Sequence, residues 1–442
     1  MDRRGNIVQS GPTKDFFISM ITRDISLTDA IIELIDNCID GVKRQGKEDF
    51  DNYTIDIELN SNFFSIKDNC GGIDINIARE YAFKFGRPKE ANKDENRAET
   101  TGTFGIGMKR ALFKMGSHFF IESTALNSWF KLEIDVPVWA SDDDNWDFEF
   151  TDYKEGIENK EPDCGTYIKV TNLYPSISNS FSYNPYINEV INKVKGRASY
   201  VINNGMTIKI NNVKVESNFL KLVNDGFIKP YKYTFTNDNV AVIIVAGLAP
   251  DTDPAQAGWY IYCNNREIVA ADKTSLTTWK DRDDDESIKY HNDYAAFRGF
   301  VFFNSKFPEL LPWNTSKNGI DSSAYIYQTT KQHMIDAFKT VTGEIKKLYS
   351  KDDELRSEIL STLKKSNNIE LNYYTAYSLP ENTVVKFVDD YTTDVQKDPE
   401  VRISYLKPKS QVEAIKQKLD VKSNKDVGVL TFEYYVEMEG LE

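Results

Sequence analysis

Along the first half of the chain the apolar positions switch between a period near 3.6 and a period of two, which predicts an alternation of helices and strands. Around residues 25–44, Ile31, Ile35, Cys38, Ile39 and Val42 fall on one stripe, so a helix is expected there with one face on a core. Residues 55–59 and 63–67 alternate as two strands of a hairpin turning at 60–62, and residues 74–85 read as helical. The polar stretch 87–100 has no period and reads as a loop or a mobile lid. A helix is expected from near Gly107, then strands at 119–123, 129–136 and 167–171. A helix over 184–203 and a strand at 206–210 close a first domain.

From about residue 225 the apolar runs lengthen, at 240–246, 258–263 and 297–303, and a helix over 324–349 ends a second domain. The mixed-charge run 350–365 reads as a linker or a solvated helix. Residues 401–406 alternate like a strand, while 411–419 and 424–438 have helical spacing; together they predict a small C-terminal α/β module for interaction or dimerisation. The expected boundaries are 1–222, 223–350 and 351–442.

Composition narrows the classes. The 442 residues are 40% hydrophobic and 28% charged, enough for packed cores, and a net charge of −14 opposes bulk coating of nucleic acid while leaving room for a local basic groove. Four scattered cysteines form no CxxC pair, which argues against structural zinc or a disulfide scaffold. With only His118, His291 and His333, a histidine-centred apparatus is disfavoured. No leader-like segment and no long apolar run occur, so a soluble cytoplasmic protein without a membrane partner is expected.

Four groups of residues carry candidate chemistry. Glu33, Asn37 and Asp40, at i, i+4 and i+7, make a polar stripe on the first predicted helix. Such a stripe suits a carboxylate that activates water and an amide that ligates Mg²⁺. Asp68 ends a strand before Gly71 and Gly72, where the backbone can approach a flat ligand and the carboxylate can accept an adenine amino proton. Gly102, Thr103, Phe104, Gly105, Ile106 and Gly107 precede a helix with Lys109 just inside, an arrangement that cradles phosphate with backbone N–H groups. The Gly-Lys-Ser/Thr ending of a P-loop is missing. Gly165-Thr166 opens a strand. Taken singly, each group also fits an ordinary helix face, turn or loop.

In this order and spacing, the four groups resemble the motifs of the GHKL superfamily of gyrase B, the heat-shock chaperones, histidine kinases and MutL. The resemblance covers roughly residues 15–215. It implies an α+β protein whose first domain is a Bergerat-type α/β sandwich binding ATP with Mg²⁺. It also implies Glu33 as general base, Asn37 as the Mg²⁺ ligand, Asp68 as the adenine reader with Gly72 and Ile73 beside it, and Thr166 as support behind Asp68. Residues 102–109 are implied as triphosphate loop and lid hinge, with Asp40 lining the site. Cys70 stands where the family's Asp-x-Gly-x-Gly has its first glycine, which requires a negative φ there.

In the second domain, Gly258-Trp-Tyr-Ile-Tyr-Cys-Asn264-Asn265-Arg266 resembles the transducer strand and turn of MutL and MORC proteins. The polar loop Asn314-Thr315-Ser316-Lys317 resembles the transducer loop whose lysine reaches the γ-phosphate. These resemblances imply an ATP hydrolase acting as an ATP-gated homodimeric clamp or switch, on DNA or a protein partner, in genome maintenance or phage defence. The rival reading is a chaperone-like protein-remodelling ATPase.

Overall fold

A line of inward-facing side chains ties the first sheet together. Ile210, Ile57, Ile66, Ile168, Ile121 and Leu132 stand opposite one another on successive strands, all buried. Each such side chain contributes roughly 1.5–3 kcal/mol on burial. The strands are β1 (Thr54–Leu59), β2 (Phe64–Asp68), β3 (Gly116–Ala125), β4 (Ser128–Asp135), β5 (Phe150–Glu155), β6 (Gly165–Leu173), β7 (Thr207–Ile210) and β8 (Val213–Lys214). Their order is β5-β4-β3-β6-β2-β1-β7-β8, antiparallel except for the parallel β1–β7 pair. The helices Leu27–Arg44, Gly107–Met115 and Asn184–Arg197 contribute to the same core, giving a mixed sheet with a helical layer. This computed structural model describes residues 11–47, 49–85, 106–217, 219–225, 228–279, 288–314, 317–388 and 403–440. The expected lid at 87–100 lies outside the described residues.

The second sheet follows β9 (Lys221–Val223). It comprises β10 (Tyr231–Asn237), β11 (Val240–Leu248), β12 (Gly258–Cys263), β13 (Arg266–Asp272) and β14 (Phe297–Asn304), in the order β10-β11-β14-β12-β13. The helix Tyr325–Tyr349 lays Met334, Ala337, Phe338, Val341 and Ile345 into the core on this sheet.

Two expectations are corrected here. The break placed at 350 is too early, because Ile359 and Leu363 of the helix Asp353–Lys365 are buried in the second core, as are Val385, Phe387 and Val388. The strand β15 (Asn368–Glu370) pairs with β9, and Leu371, Ala376 and Leu379 pack with Ile243, Val245 and Phe300 of the second sheet. Mixed charges concealed a helix whose buried stripe is only two residues wide. The chain divides instead into Met1–Tyr391 and Thr392–Glu442.

The C-terminal module is also not α/β among the described residues. Residues 403–408 form no strand, and the unit is a hairpin of the helices Lys409–Leu419 and Asn424–Glu439. Asp420, left-handed at φ 56°, ends the first helix, and Ser423 caps the second by accepting from the Asp426 N–H at 3.0 Å. Among the described residues, 403–406 meet no neighbouring strand to pair with.

Candidate functional site

Almost the whole helix Leu27–Arg44 is buried, including Glu33, Asp36 and Asp40. Ser26 caps its start, accepting from the Asp29 N–H at 3.0 Å. Ile31, Leu34, Ile35 and Val42 anchor the helix in the first core, so its carboxylates are held rigidly where the two sheets meet.

Glu33 is packed against the start of the helix Gly107–Met115. A Cβ on Gly107 would come within 1.9 Å of Glu33 Oε1, so glycine is the residue that fits. This contact fixes which face of that helix looks toward Glu33. Positions three and four beyond Gly107 share the face, and position two is turned away. Arg110 therefore faces the carboxylate; it is buried, its Nε has no partner, and its charge acts on Glu33.

The same geometry turns Lys109 to another face of the helix. Its ammonium donates to the carbonyls of Ala82, at 2.9 Å, and Lys84, and lies 5.6 Å from the centre of the Phe85 ring. It ties the helix to the chain leading into residues 86–105. Burial depresses its pKa to about 8. Of the expected phosphate loop, Gly102, Thr103, Phe104 and Gly105 lie outside the described residues, and Ile106 occupies the cap position of the helix.

The second sheet delivers two more cations to Glu33. Lys317 Nζ is 3.3 Å from Glu33 Oε1, and both side chains are almost inaccessible. The loop that carries it is closed by an Asn314 N–H to Gly319 carbonyl bond and a Lys317 N–H to Asn314 carbonyl bond, each 2.9 Å. Arg197 donates to the Lys317 carbonyl at 3.0 Å, and Asn318 donates to Asp29 Oδ2 at 2.9 Å. Lys317 is held at φ 51°, a left-handed conformation that costs a non-glycine residue ~1–2 kcal/mol and here aims the side chain.

Arg266 follows the left-handed Asn264–Asn265 turn, at φ 48° and 67°, between β12 and β13. It bonds Asp36 Oδ2 and lies 3.9 Å from Glu33 Oε2. Burial pushes the Glu33 carboxyl upward, but Lys317, Arg266 and Arg110 outweigh it and hold its pKa below the ordinary value. Burial lowers the Lys317 pKa, with Glu33 opposing.

A second cluster surrounds Asp68 at the end of β2. Oδ1 accepts from the Cys70 N–H at 2.7 Å and Oδ2 from the Cys38 thiol at 3.3 Å, and the Thr166 backbone adds a further hydrogen bond. Burial raises the Asp68 pKa against these donors. Behind it, Thr166 Oγ1 lies 3.1 Å from Ser123 Oγ, which accepts from the Ile73 N–H at 2.7 Å. Gly72, at φ 68°, would place a Cβ 2.0 Å from the Thr124 carbonyl, and Gly165 would place one 2.0 Å from the Asp68 carbonyl. Cys70 is not among the positive-φ residues, so the departure from glycine is accommodated; the positive angles fall on Gly71 and Gly72.

The two clusters are joined by one helix. Glu33 reaches Lys317 while Cys38, five residues on and about 7.5 Å along the axis, reaches Asp68. Asn37 lies between them, half-buried, with its Nδ2 unpaired by protein. A buried amide left unengaged fits a residue that meets a ligand. Asp40, 1% exposed, adds negative charge beside Lys317.

Sequence reasoning missed Arg110, Asp36 and Gly41. Gly41 was legible as a glycine inside a helix; a Cβ there would meet the Cys70 carbonyl at 2.6 Å.

Residues 25–166 match the family of histidine kinase-, DNA gyrase B- and HSP90-like ATPases. The match supports a GHKL-type fold for this stretch, which holds Glu33, Asn37, Asp68 and Thr166. A comparison with curated proteins finds no match. Among the described residues no helix is long and apolar enough to cross a membrane.

Proposed function

We propose that the chain binds and hydrolyses Mg-ATP and acts as an ATP-gated switch in which the second sheet reads the terminal phosphate through Lys317. The supporting observation is the buried Lys317–Glu33 pair at 3.3 Å, which joins the two sheets at a carboxylate of the ATPase domain.

Asp68 accepts the adenine amino proton, with Gly72, Ile73 and Thr166 shaping its surroundings. Asn37 would offer its side-chain Oδ1 to Mg²⁺, which would neutralise phosphate charge, while its unpaired Nδ2 remains free to donate to the nucleotide or its water. Arg110 takes the place foreseen for Lys109 in balancing the triphosphate. Glu33 accepts a proton from the water that attacks the γ-phosphorus, and ADP leaves. While Lys317 pairs with Glu33, the carboxylate is a poor base; a γ-phosphate offers the ammonium a competing partner and frees Glu33. The same exchange couples the terminal phosphate to the loop 314–319 and hence to the second sheet.

Closure of two copies around DNA or a protein partner, in genome maintenance or defence, follows from the resemblance to MutL and MORC transducers. Size measured with ADP, ATP and a non-hydrolysable analogue, with and without duplex DNA, tests it. Compaction or dimer closure with the analogue alone is expected. Identical size in all nucleotide states contradicts the switch.

A further inference from the structure

The backbone of Lys317 is held on both sides of its Cα. Its N–H donates to the Asn314 carbonyl at 2.9 Å, within the loop 314–319, and its carbonyl accepts from Arg197 Nη1 at 3.0 Å. Because peptide groups are planar, holding the two that flank one Cα sets its φ and ψ and the direction of its Cβ. Lys317 is thereby kept left-handed, at φ 51°, with its ammonium 3.3 Å from Glu33 Oε1. One of the two ties is local. The other spans 120 positions and comes from the first domain. Asn318 also ties the loop to Asp29, at 2.9 Å, but that bond does not touch the peptide groups of Lys317.

Stability alone explains Arg197 poorly. The buried stripe of the helix Asn184–Arg197 runs through Val190, Val194 and Arg197, so the guanidinium ends an apolar line. Arg197 is buried, and its Nε has no partner among the described residues. Burial lowers its pKa, with Glu267 and Asp29 opposing. Glu267, on β13, stands against the same helix end, since a Cβ on Gly196 would lie 3.0 Å from its Oε1. A guanidinium taken out of water with a donor unmet costs more than one bond to a neutral carbonyl returns.

We propose that Arg197 is the positioning residue of the phosphate sensor. From the first domain it holds the Lys317 carbonyl, and so sets the left-handed backbone of the lysine and the reach of its ammonium. The inference rests on the reading of Lys317 as the contact to the γ-phosphate. Arg197 itself touches no nucleotide and acts only through Lys317. Its loss therefore bears on nucleotides with a terminal phosphate and spares ADP.

The test is titration of ADP and of a non-hydrolysable ATP analogue into the full chain, as a cycle of Arg197→Met, Lys317→Ala and the double variant. Arg197→Met keeps the apolar stem and removes the donors. It should weaken the analogue at least about fivefold, a share of the roughly ten- to hundredfold worth of a charge-assisted contact, and leave ADP affinity unchanged. In Lys317→Ala, which has no ammonium to aim, the same change should cost nothing further. Arg197→Gln takes its place in the cycle if Arg197→Met does not fold. Equal losses of both nucleotides make Arg197 structural and overturn the inference, as does a further loss in the Lys317→Ala background. A ratio of analogue to ADP affinity lowered by Lys317→Ala but not by Arg197→Met sinks this inference alone. A ratio untouched by Lys317→Ala sinks the sensor reading beneath it.

Discussion

Lys317 Nζ and Glu33 Oε1 stand 3.3 Å apart although 284 positions separate them in the chain. Burying two opposite charges has a large desolvation cost, and replacing such a pair with apolar residues is often stabilising. A pair of this kind, held by a left-handed lysine at the junction of two sheets, is better explained by exchange of partners than by stability.

Glu33→Gln is expected to keep ADP and ATP binding and lose turnover by at least ~10²-fold, the range for a missing general base. Steady-state hydrolysis alongside nucleotide titration checks it. Unchanged turnover would remove Glu33 from the chemistry.

Asp68→Asn replaces an acceptor-only group with one that carries two donors. Cys70, Thr166 and Cys38 already donate to this carboxylate, so the amide cannot satisfy them and an adenine amino group together. ATP affinity should fall by at least about tenfold, and preference for ATP over GTP should vanish. Equal affinity for ATP and GTP in the unaltered protein would contradict the assignment.

Lys109 and Arg110 are separable by pH and by nucleotide. The folded-state pKa of Lys109 is depressed to about 8, below its ordinary value of 10.5. Below pH 8 both states carry the proton, so the folded state bears a constant penalty. Between about pH 8 and 10.5 the unfolded chain binds the extra proton and stability from this group rises, by about 1–3 kcal/mol in all. Lys109→Met should remove that rise in denaturation midpoints while leaving ATP affinity nearly unchanged. Arg110→Met should do the reverse, weakening ATP at least about tenfold. If Lys109→Met is the variant that loses ATP, the orientation of the helix Gly107–Met115 has been misread.

What the sequence made legible, and what it hid, follows from the reach of each signal. Glu33, Asn37 and Asp40 announce themselves by helical spacing, and Asp68 by the glycines after it, because both signals are local. Helical spacing alone does not say which of Lys109 and Arg110 lies beside Glu33. The phase of that helix is set by Gly107 touching Glu33, a tertiary contact no local period contains. Arg266 and Asp36 lie 230 positions apart, and nothing local couples a turn arginine to a helix aspartate. The run 350–365 reads as a linker or a solvated helix because charged residues outnumber Ile359 and Leu363, although these two, with Leu355 and Leu360 beside them, seat the helix Asp353–Lys365 on the second core. β10 escaped notice although the left-handed pair Asp238–Asn239 behind it is a hairpin signal.

The central claim is that Lys317 exchanges Glu33 for the terminal phosphate of ATP, and the ratio of ATP to ADP affinity in Lys317→Ala tests it most directly. A charge-assisted contact is worth roughly 1.5–3 kcal/mol, a ten- to hundredfold effect on an equilibrium. Isothermal titration of both nucleotides into Glu33→Gln, with and without Lys317→Ala, removes hydrolysis from the comparison. ATP affinity should fall by about ten- to a hundredfold on loss of Lys317 while ADP affinity holds. An equal fall for both nucleotides would make Lys317 a structural residue and contradict the account.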